Sequence, residues 1–414
     1  MRVSTIQTFN NGVNNMKRVS GLAAETQNQI STGKKFLTPS DDPVAATRIL
    51  QLNQELVLRD QYKKNITSVT NRLSLEESVL NGVSDVLQKI RELSVQAGDG
   101  SLTPEDRGFL AQEVSTRLEE MLGLLNSRDA NGEYIFAGYR GNTQPFVDGG
   151  GGGYRFQGDE GERLVQIGAT TWVSSRDSGK QIFEDIPAFN KTFVTSNNPR
   201  NTAIPPGSVS VGRVIDQAVF DEFHPDDAYI VFEPPDAIEP AGANFTVRRM
   251  SDNRVIDGLQ NERFVSGDAI QFAGIQVRIS GNPDVGDSFM IESSSRQSVL
   301  TTLGRFAEGL NTIDGSPEGR EQIEALVGQT IENLDSAQTS ILEARSKIGS
   351  RLNTLESTLA IHEDVDLVSQ DVLSQLQDVD FAEAVSRLSL ETFVLEASQQ
   401  SFAKIANLSL FNSL

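Results

Sequence analysis

The chain has no cysteine, and that one absence removes disulfides, thiolate zinc sites, iron–sulfur clusters and cysteine nucleophiles together. Histidine is scarce as well. The two present, His224 and His362, lie far apart, so a paired-imidazole metal site would need the fold to unite them. Positive charge is short: 36 Lys and Arg face 57 Asp and Glu, a net charge of −21 over 414 residues. Such a chain is repelled by phosphate backbones and anionic lipid, which argues against nucleic acid or a membrane as partner. No stretch approaches the ~18 uncharged apolar residues of a membrane span. Met1 to Gln7 holds no apolar run that could serve as a signal-peptide core. The expectation is a soluble protein, cytoplasmic unless it leaves the cell without a cleaved signal.

Proline is missing from long stretches rather than from the whole. Of 14 prolines, three fall in 1–130, ten in 131–297 and one in 298–414. Glycine divides 8, 20 and 6 over the same segments, and phenylalanine 3, 13 and 5. The single tryptophan, Trp172, is also central. Proline breaks helix interiors, so the two flanks are free to form long helices and the middle is not.

What the flanks do contain is heptad patterning. Ile66, Val69, Leu73, Leu80, Val83, Leu87 and Ile90 alternate steps of four and three, with Glu76 filling one step. Val327, Thr330, Leu334, Ala337, Ile341, Ala344 and Ile348 keep the same alternation near the other end. A helix from Val44 to Gly98 would be about 80 Å long, whereas a single ball of this chain length is about 55–60 Å across. The fold class expected is therefore α+β: a long antiparallel helical bundle or coiled-coil rod built from both chain termini, with one or two β-rich domains inserted. The divisions fall at 1–40 (N-terminal tail), 41–132, 133–297 (β-rich), 298–365 and 366–414 (C-terminal tail).

Boundary signals agree. Thr38-Pro39-Ser40-Asp41-Asp42-Pro43 separates one helix from the next, with Pro43 near the first turn. Thr103-Pro104-Glu105-Asp106 reads as a capping box. The helix after it carries Leu110, Val114, Leu118, Met121 and Leu125, and Asn131-Gly132 is expected to stop it. Glu133 to Phe136, Tyr154 to Phe156, Ser208 to Ile215, Asn244 to Arg248 and Asp268 to Ile279 read as β. Gly149 to Gly153 reads as a hairpin tip.

Both extremities are amphipathic. An N-terminal seam is expected at Ile6, Phe9, Val13, Met16, Ala23 and Ile30, with polar Ser20 and Gln27 in its gaps. A C-terminal seam is expected at Phe381, Ala384, Leu388, Leu395, Phe402, Ile405, Leu408 and Phe411. Residues 1–36 hold five bases and one acid, and residues 363–414 hold two bases and nine acids. The ends attract, but exposed pairs add only about 0–1 kcal/mol each, so apolar burial must dominate. Short isolated helices are marginal in water, so these tails are expected to be disordered in the monomer and to form an axial coiled coil on assembly.

Ile30-Ser31-Thr32-Gly33-Lys34-Lys35, followed by Thr38-Pro39-Ser40-Asp41-Asp42-Pro43-Val44, resembles the N-terminal signature of the flagellin superfamily. Gly33, Pro39, Asp41, Asp42 and Pro43 carry the motif. Gly132 to Gly138, Gln144-Pro145-Phe146, Asp378 to Ala384 and Leu408 to Phe411 fit the same family. Residues 1–146 and 298–414 share the resemblance; 147–297 do not. Pro43 directly after the paired aspartates favours the hook–filament junction branch over filament flagellins. The resemblance implies a structural protein that self-assembles into a short ring between hook-associated protein 1 and flagellin. It also implies export through the flagellar type III channel without a cleaved signal, an extracellular location in the flagellum, and a cytoplasmic chaperone on the C-terminal tail.

Enzymatic readings have little to stand on, and no catalytic, cofactor or metal residue is assigned. His224 in Phe-His-Pro-Asp-Asp reads as a solvated loop residue, and His362 as a surface residue near the end of a heptad stripe. Gly149 to Gly153 lacks the Gly-Lys-Ser/Thr of a phosphate loop. Asp284 and Asp287 offer too few ligands for calcium. Two rival readings stand beside the junction ring: a filament-forming flagellin, and a surface adhesin or glycan-binding module carried by the β-rich middle.

Overall fold

The computed structural model describes residues 5–411, apart from the side chains of residues 5, 6, 8, 9 and 405–411. Seven helices and thirteen strands are described. The helices are α1 (Thr5–Thr32), α2 (Pro43–Ala97), α3 (Pro104–Leu125), α4 (Gln217–Phe223), α5 (Val299–Thr312), α6 (Pro317–Gln377) and α7 (Phe381–Phe411). Contacts divide the chain into two compact units, 1–64 with 356–414, and 65–355.

In the unit 65–355 the heptad residues behave as their spacing predicts. Ile66, Val69, Leu73, Leu80, Val83, Leu87 and Ile90 of α2 are buried, as are all seven seam residues of α6 from Val327 to Ile348. The two segments run antiparallel. Gln338 donates to the Ser84 hydroxyl at 3.3 Å, and Arg91 pairs with Asp335. Burying one such Leu or Ile stabilises by about 1.5–3 kcal/mol. Thr103 accepts from the Asp106 N–H while Asp106 reaches back to the Thr103 N–H, completing the box that starts α3. Leu110, Val114, Phe306, Leu310 and Leu326 form one core of α3, α5 and α6.

Two local readings are corrected. α3 ends at Leu125, capped by Asn126, well before Asn131-Gly132. The Asn126 side chain also bridges to the Phe146 backbone in both directions, and this fixes the exit from the helix. Residues 133–136 form turns and isolated bridges instead of a strand, because Phe136 is drawn fully inside against Phe183.

The strands are β1 (Phe146–Gly150), β2 (Gly153–Phe156), β3 (Leu164–Gln166), β4 (Trp172–Ser174), β5 (Ile186–Asn197), β6 (Ser208–Val209), β7 (Arg213–Val214), β8 (Ala228–Glu233), β9 (Asn244–Arg249), β10 (Glu262–Arg263), β11 (Ala269–Phe272), β12 (Ile275–Ser280) and β13 (Ser288–Gln297). β1–β2 and β3–β4 are antiparallel hairpins. A five-stranded antiparallel sheet has the order β10-β9-β8-β13-β5. A second sheet has the order β11-β12-β6, with β7 also on β12. Residues 268–279 are thus a hairpin, turned at Ala273-Gly274, where both residues have positive φ. Inward-facing Phe193, Phe220, Phe232, Phe245 and Phe289 build the core of this region, which accounts for the central excess of phenylalanine. Phe232 meets Phe264 edge-on at 4.8 Å.

Glu76, the polar step in the α2 seam, is buried. One carboxylate oxygen accepts the Asp177 N–H at 3.3 Å, and the other has no partner. Burial, and next the charge of Asp177, push the Glu76 carboxyl well above its ordinary range. Arg351 of α6 holds Asp177 through two hydrogen bonds of 3.0 and 2.8 Å.

Candidate assembly surface

In the unit formed by 1–64 and 356–414, the break between α1 and α2 meets the break between α6 and α7. Gly33 has φ +73°, a conformation that side chains with a Cβ disfavour, and it turns the chain out of α1. Its carbonyl accepts the Val379 N–H at 2.9 Å, and the Lys35 N–H donates to the Gln377 carbonyl at 2.7 Å. Lys34 and Asp378 face each other as an antiparallel bridge. Lys35 Nζ donates to the Gln375 carbonyl at 2.8 Å. Two motifs from opposite ends of the chain therefore form one joint.

The remaining motif residues shape the segment that follows. The Asp41 carboxylate accepts the N–H of Thr38 at 2.8 Å, the Thr38 hydroxyl at 2.7 Å and the N–H of Leu37 at 3.0 Å. Those bonds, the Thr38 backbone bond foremost, hold its carboxyl below the ordinary range. Asp42 accepts the N–H groups of Val44 and Ala45, both at 3.0 Å, and so caps α2. Pro43 fills the first helical position, where no donor is lost. Pro39 lines a groove of about 560 Å³ with Phe36, Leu37, Ile49 and Leu50.

α1 and α7 pack antiparallel. Arg387 donates to the Gln29 side chain at 2.8 Å near one end of the pair. Near the other, Gly12 lies so close to Phe402 that a Cβ there would sit 3.1 Å from the ring. Ala23 and Ala384 are buried, while Val13, Met16, Ile30, Leu388, Leu395 and Phe402 are half-buried. Phe381 is 54% exposed. The side chains of Ile6, Phe9, Ile405, Leu408 and Phe411 lie outside the described residues. Ser20 and Gln27 are exposed, and the buried positions beside them are Val19 and Thr26. The stripe steps by three and four around the helix, so a strict seven-residue frame drifts off it by one position.

Sequence reasoning missed a second apolar face. Val385, Leu390 and Phe393 of α7 are exposed, Phe393 by 68%. On α6, Ile361, Leu367 and Val368 are exposed too. The signal was present: α7 carries more apolar residues than one seam can hold, at positions outside the seam's frame. His362 is no plain surface residue. It is half-buried and stacks on Tyr62 at 5.6 Å. One turn on, Asp366 is held by Arg59 at 2.6 Å and Lys63 at 2.5 Å. Burial raises the Asp366 carboxyl, but the hydrogen bonds from Lys63 and Arg59 outweigh it and leave the group below its ordinary range.

Among the described residues, no group of three or more His, Asp or Glu could hold a metal ion. No described helix is long and apolar enough to cross a membrane. The geometry is that of helices presenting apolar faces, joined through motifs from both ends. The chain matches the bacterial flagellin N-terminal helical region over residues 3–141 and the C-terminal helical region over 331–414. Residues 236–293 match the D2-like domain of flagellar hook-associated protein 1, so part of the middle does have a counterpart. This is a structural protein of the flagellin superfamily.

Within that superfamily the chain is similar to flagellar hook-associated protein 3 along almost its whole length. It is 26% identical to flagellar hook-associated protein 3 of Salmonella typhimurium over 412 residues, 99% of each chain. The crystal structure of flagellar hook-associated protein 3 from Legionella pneumophila is similar, at 29% identity and a TM-score of 0.53, covering 79% of this chain and 98% of that one. That of FlgL from Xanthomonas campestris gives 25% and 0.51, covering 78% and 99%. A flagellin of Listeria monocytogenes, by contrast, is 27% identical over only 97 residues, 23% of this chain and 34% of its own.

Proposed function

We propose that this hook–filament junction protein assembles into a short ring, with hook-associated protein 1 on one face and flagellin on the other. The observation that carries the reading is the joint of Gly33 and Lys35 with Gln377 and Val379, which brings both terminal helices of the chain together. A ring needs a heterologous interface whose two sides differ, and apolar helix faces flanking this joint supply surface for one. The axial seam residues of α1 and α7 are the assembly elements, ordering fully as neighbouring copies pack. Export follows the flagellar type III route without a cleaved signal, with a cytoplasmic chaperone on the C-terminal tail.

The decisive experiment removes the last ~20 residues, where truncation leaves the rest of the chain intact. The expected product is a folded, soluble monomer that forms no ring and anchors no filament. Normal assembly by the truncated chain overturns the tail reading. A filament-forming flagellin is the second reading, and the short span of the flagellin matches weighs against it. Long filaments grown from purified chain on seeding would favour it.

A further inference from the structure

The unit 65–355 contains a cavity of about 80 Å³ with an unusual charge balance. Its walls come from β5, β7, α4, α5 and α6. Among the lining residues are Lys191, Arg213 and Arg305, and not one Asp or Glu. In a chain of net charge −21, three cations around one small space with no lining carboxylate is a marked local reversal.

The two guanidinium groups are not neutralised by direct contact. Arg305 is buried, and all its hydrogen-bond partners are uncharged: the Thr192 hydroxyl, the Gln297 amide oxygen and the carbonyls of Phe193 and Val211. Its guanidinium also lies 4.6 Å from the Phe193 ring centroid. Arg213 donates Nε to Gln276 at 2.8 Å, but its buried Nη1 has no partner. The nearby carboxylate, Glu308, is engaged by Arg278 at 3.1 Å. Lys191 reaches Asp221 only at 4.0 Å. A buried donor without an acceptor costs about 1–3 kcal/mol, more when it belongs to a charged group. Burial depresses both arginines, Arg305 to about 10, which leaves them charged at neutral pH.

We propose that this cavity binds a small oxyanion of acetate-to-sulfate size. The bound anion accepts from the unpartnered Nη1 of Arg213 and lies in the field of Arg305, whose own donors are already taken, and the amides of Gln322, Gln329 and Asn333 on the α6 wall supply further donors. Bulkier ligands such as nucleotides are excluded by the volume. The site lies where β5 and β7 meet α5 and α6, so occupancy ties these strands and helices together.

The test uses the full-length chain and ¹³C-acetate, whose NMR linewidth reports binding directly, with sulfate as competitor. Saturable broadening is expected, lost in Arg213→Gln and largely kept in Arg213→Lys. Displacement by sulfate identifies a general oxyanion site, and resistance to sulfate identifies a carboxylate site. Equal broadening in a folded Arg213→Gln chain overturns the assignment, as does unsaturable broadening in the wild type. Bromide-soaked crystals of the wild type give a check that needs no variant: an anomalous peak is expected in the cavity, and a cavity without one counts against the proposal.

Discussion

The carbonyl of Gly33 accepts a hydrogen bond from the N–H of Val379 at 2.9 Å, so a glycine near the start of the chain is fixed to a residue near its end. Gly33 holds φ +73° to make that contact. Replacing it with valine forces a β-branched residue into the left-handed region, at a cost of order 1–3 kcal/mol. Chemical denaturation of Gly33→Val should show that loss, and hydrogen exchange should place it at residues 33–35 and 377–379. Unchanged protection there would refute the role given to this joint.

Arg351 and Asp177 offer a sharper energetic test. Their side chains are 18% and 11% exposed, and Glu76 lies next to Asp177. Arg351→Met leaves two carboxylates with their main cation gone, and breaking such a pair costs about 3–5 kcal/mol. Adding Glu76→Gln to that variant should recover part of the loss. Urea melts of the single and double variants measure both steps.

The stability contributed by buried Glu184 should fall as pH rises from about 4.5 towards 7. Glu184 is raised from 4.5 to about 7, chiefly by burial, against an opposing hydrogen bond from Ser298. Glu76 is raised in the same direction. Between 4.5 and about 7 Glu184 binds more protons in the folded chain than in the unfolded one, so its contribution to stability is greatest at the lower end of that window. The part due to Glu184 is on the order of 3 kcal/mol. Glu184→Gln should flatten the stability profile across the window, and a profile of unchanged slope would contradict the assignment.

Two substitutions on α7 separate the inner face from the outer one. Ala384 is fully buried, so Ala384→Asp should loosen α1 from α7 and lower helicity by circular dichroism. Phe393 is 68% exposed, so Phe393→Asp should change monomer stability by no more than about 0.5 kcal/mol. If that face belongs to the ring, Phe393→Asp nevertheless blocks assembly in sedimentation. Normal rings from Phe393→Asp would confine assembly to the α1–α7 seam.

The stripes of α2 and α6 were legible because helix period and burial coincide over many turns, as Ile66 to Ile90 and Val327 to Ile348 show. The capping box at Thr103 was legible because both of its partners lie within four residues. What stayed hidden depends on distant partners. Glu76 read as a filler in the seam, since Asp177 reaches it only through the fold. Phe136 sat in an apparent strand, yet its pocket is made by Phe183. The five-stranded sheet places β13 between β8 and β5, an order that local alternation cannot encode. On α7, apolar content gave the seam but not the direction of the surplus, so Leu390 and Phe393 escaped notice.

The pairing of α1 with α7 sets a clock on maturation. The earliest helix to emerge finds its mate among the last segments of the chain, and the Gly33–Val379 contact closes only when both are present. A chain made from its N-terminus therefore completes α1 before the partner segment that covers it exists.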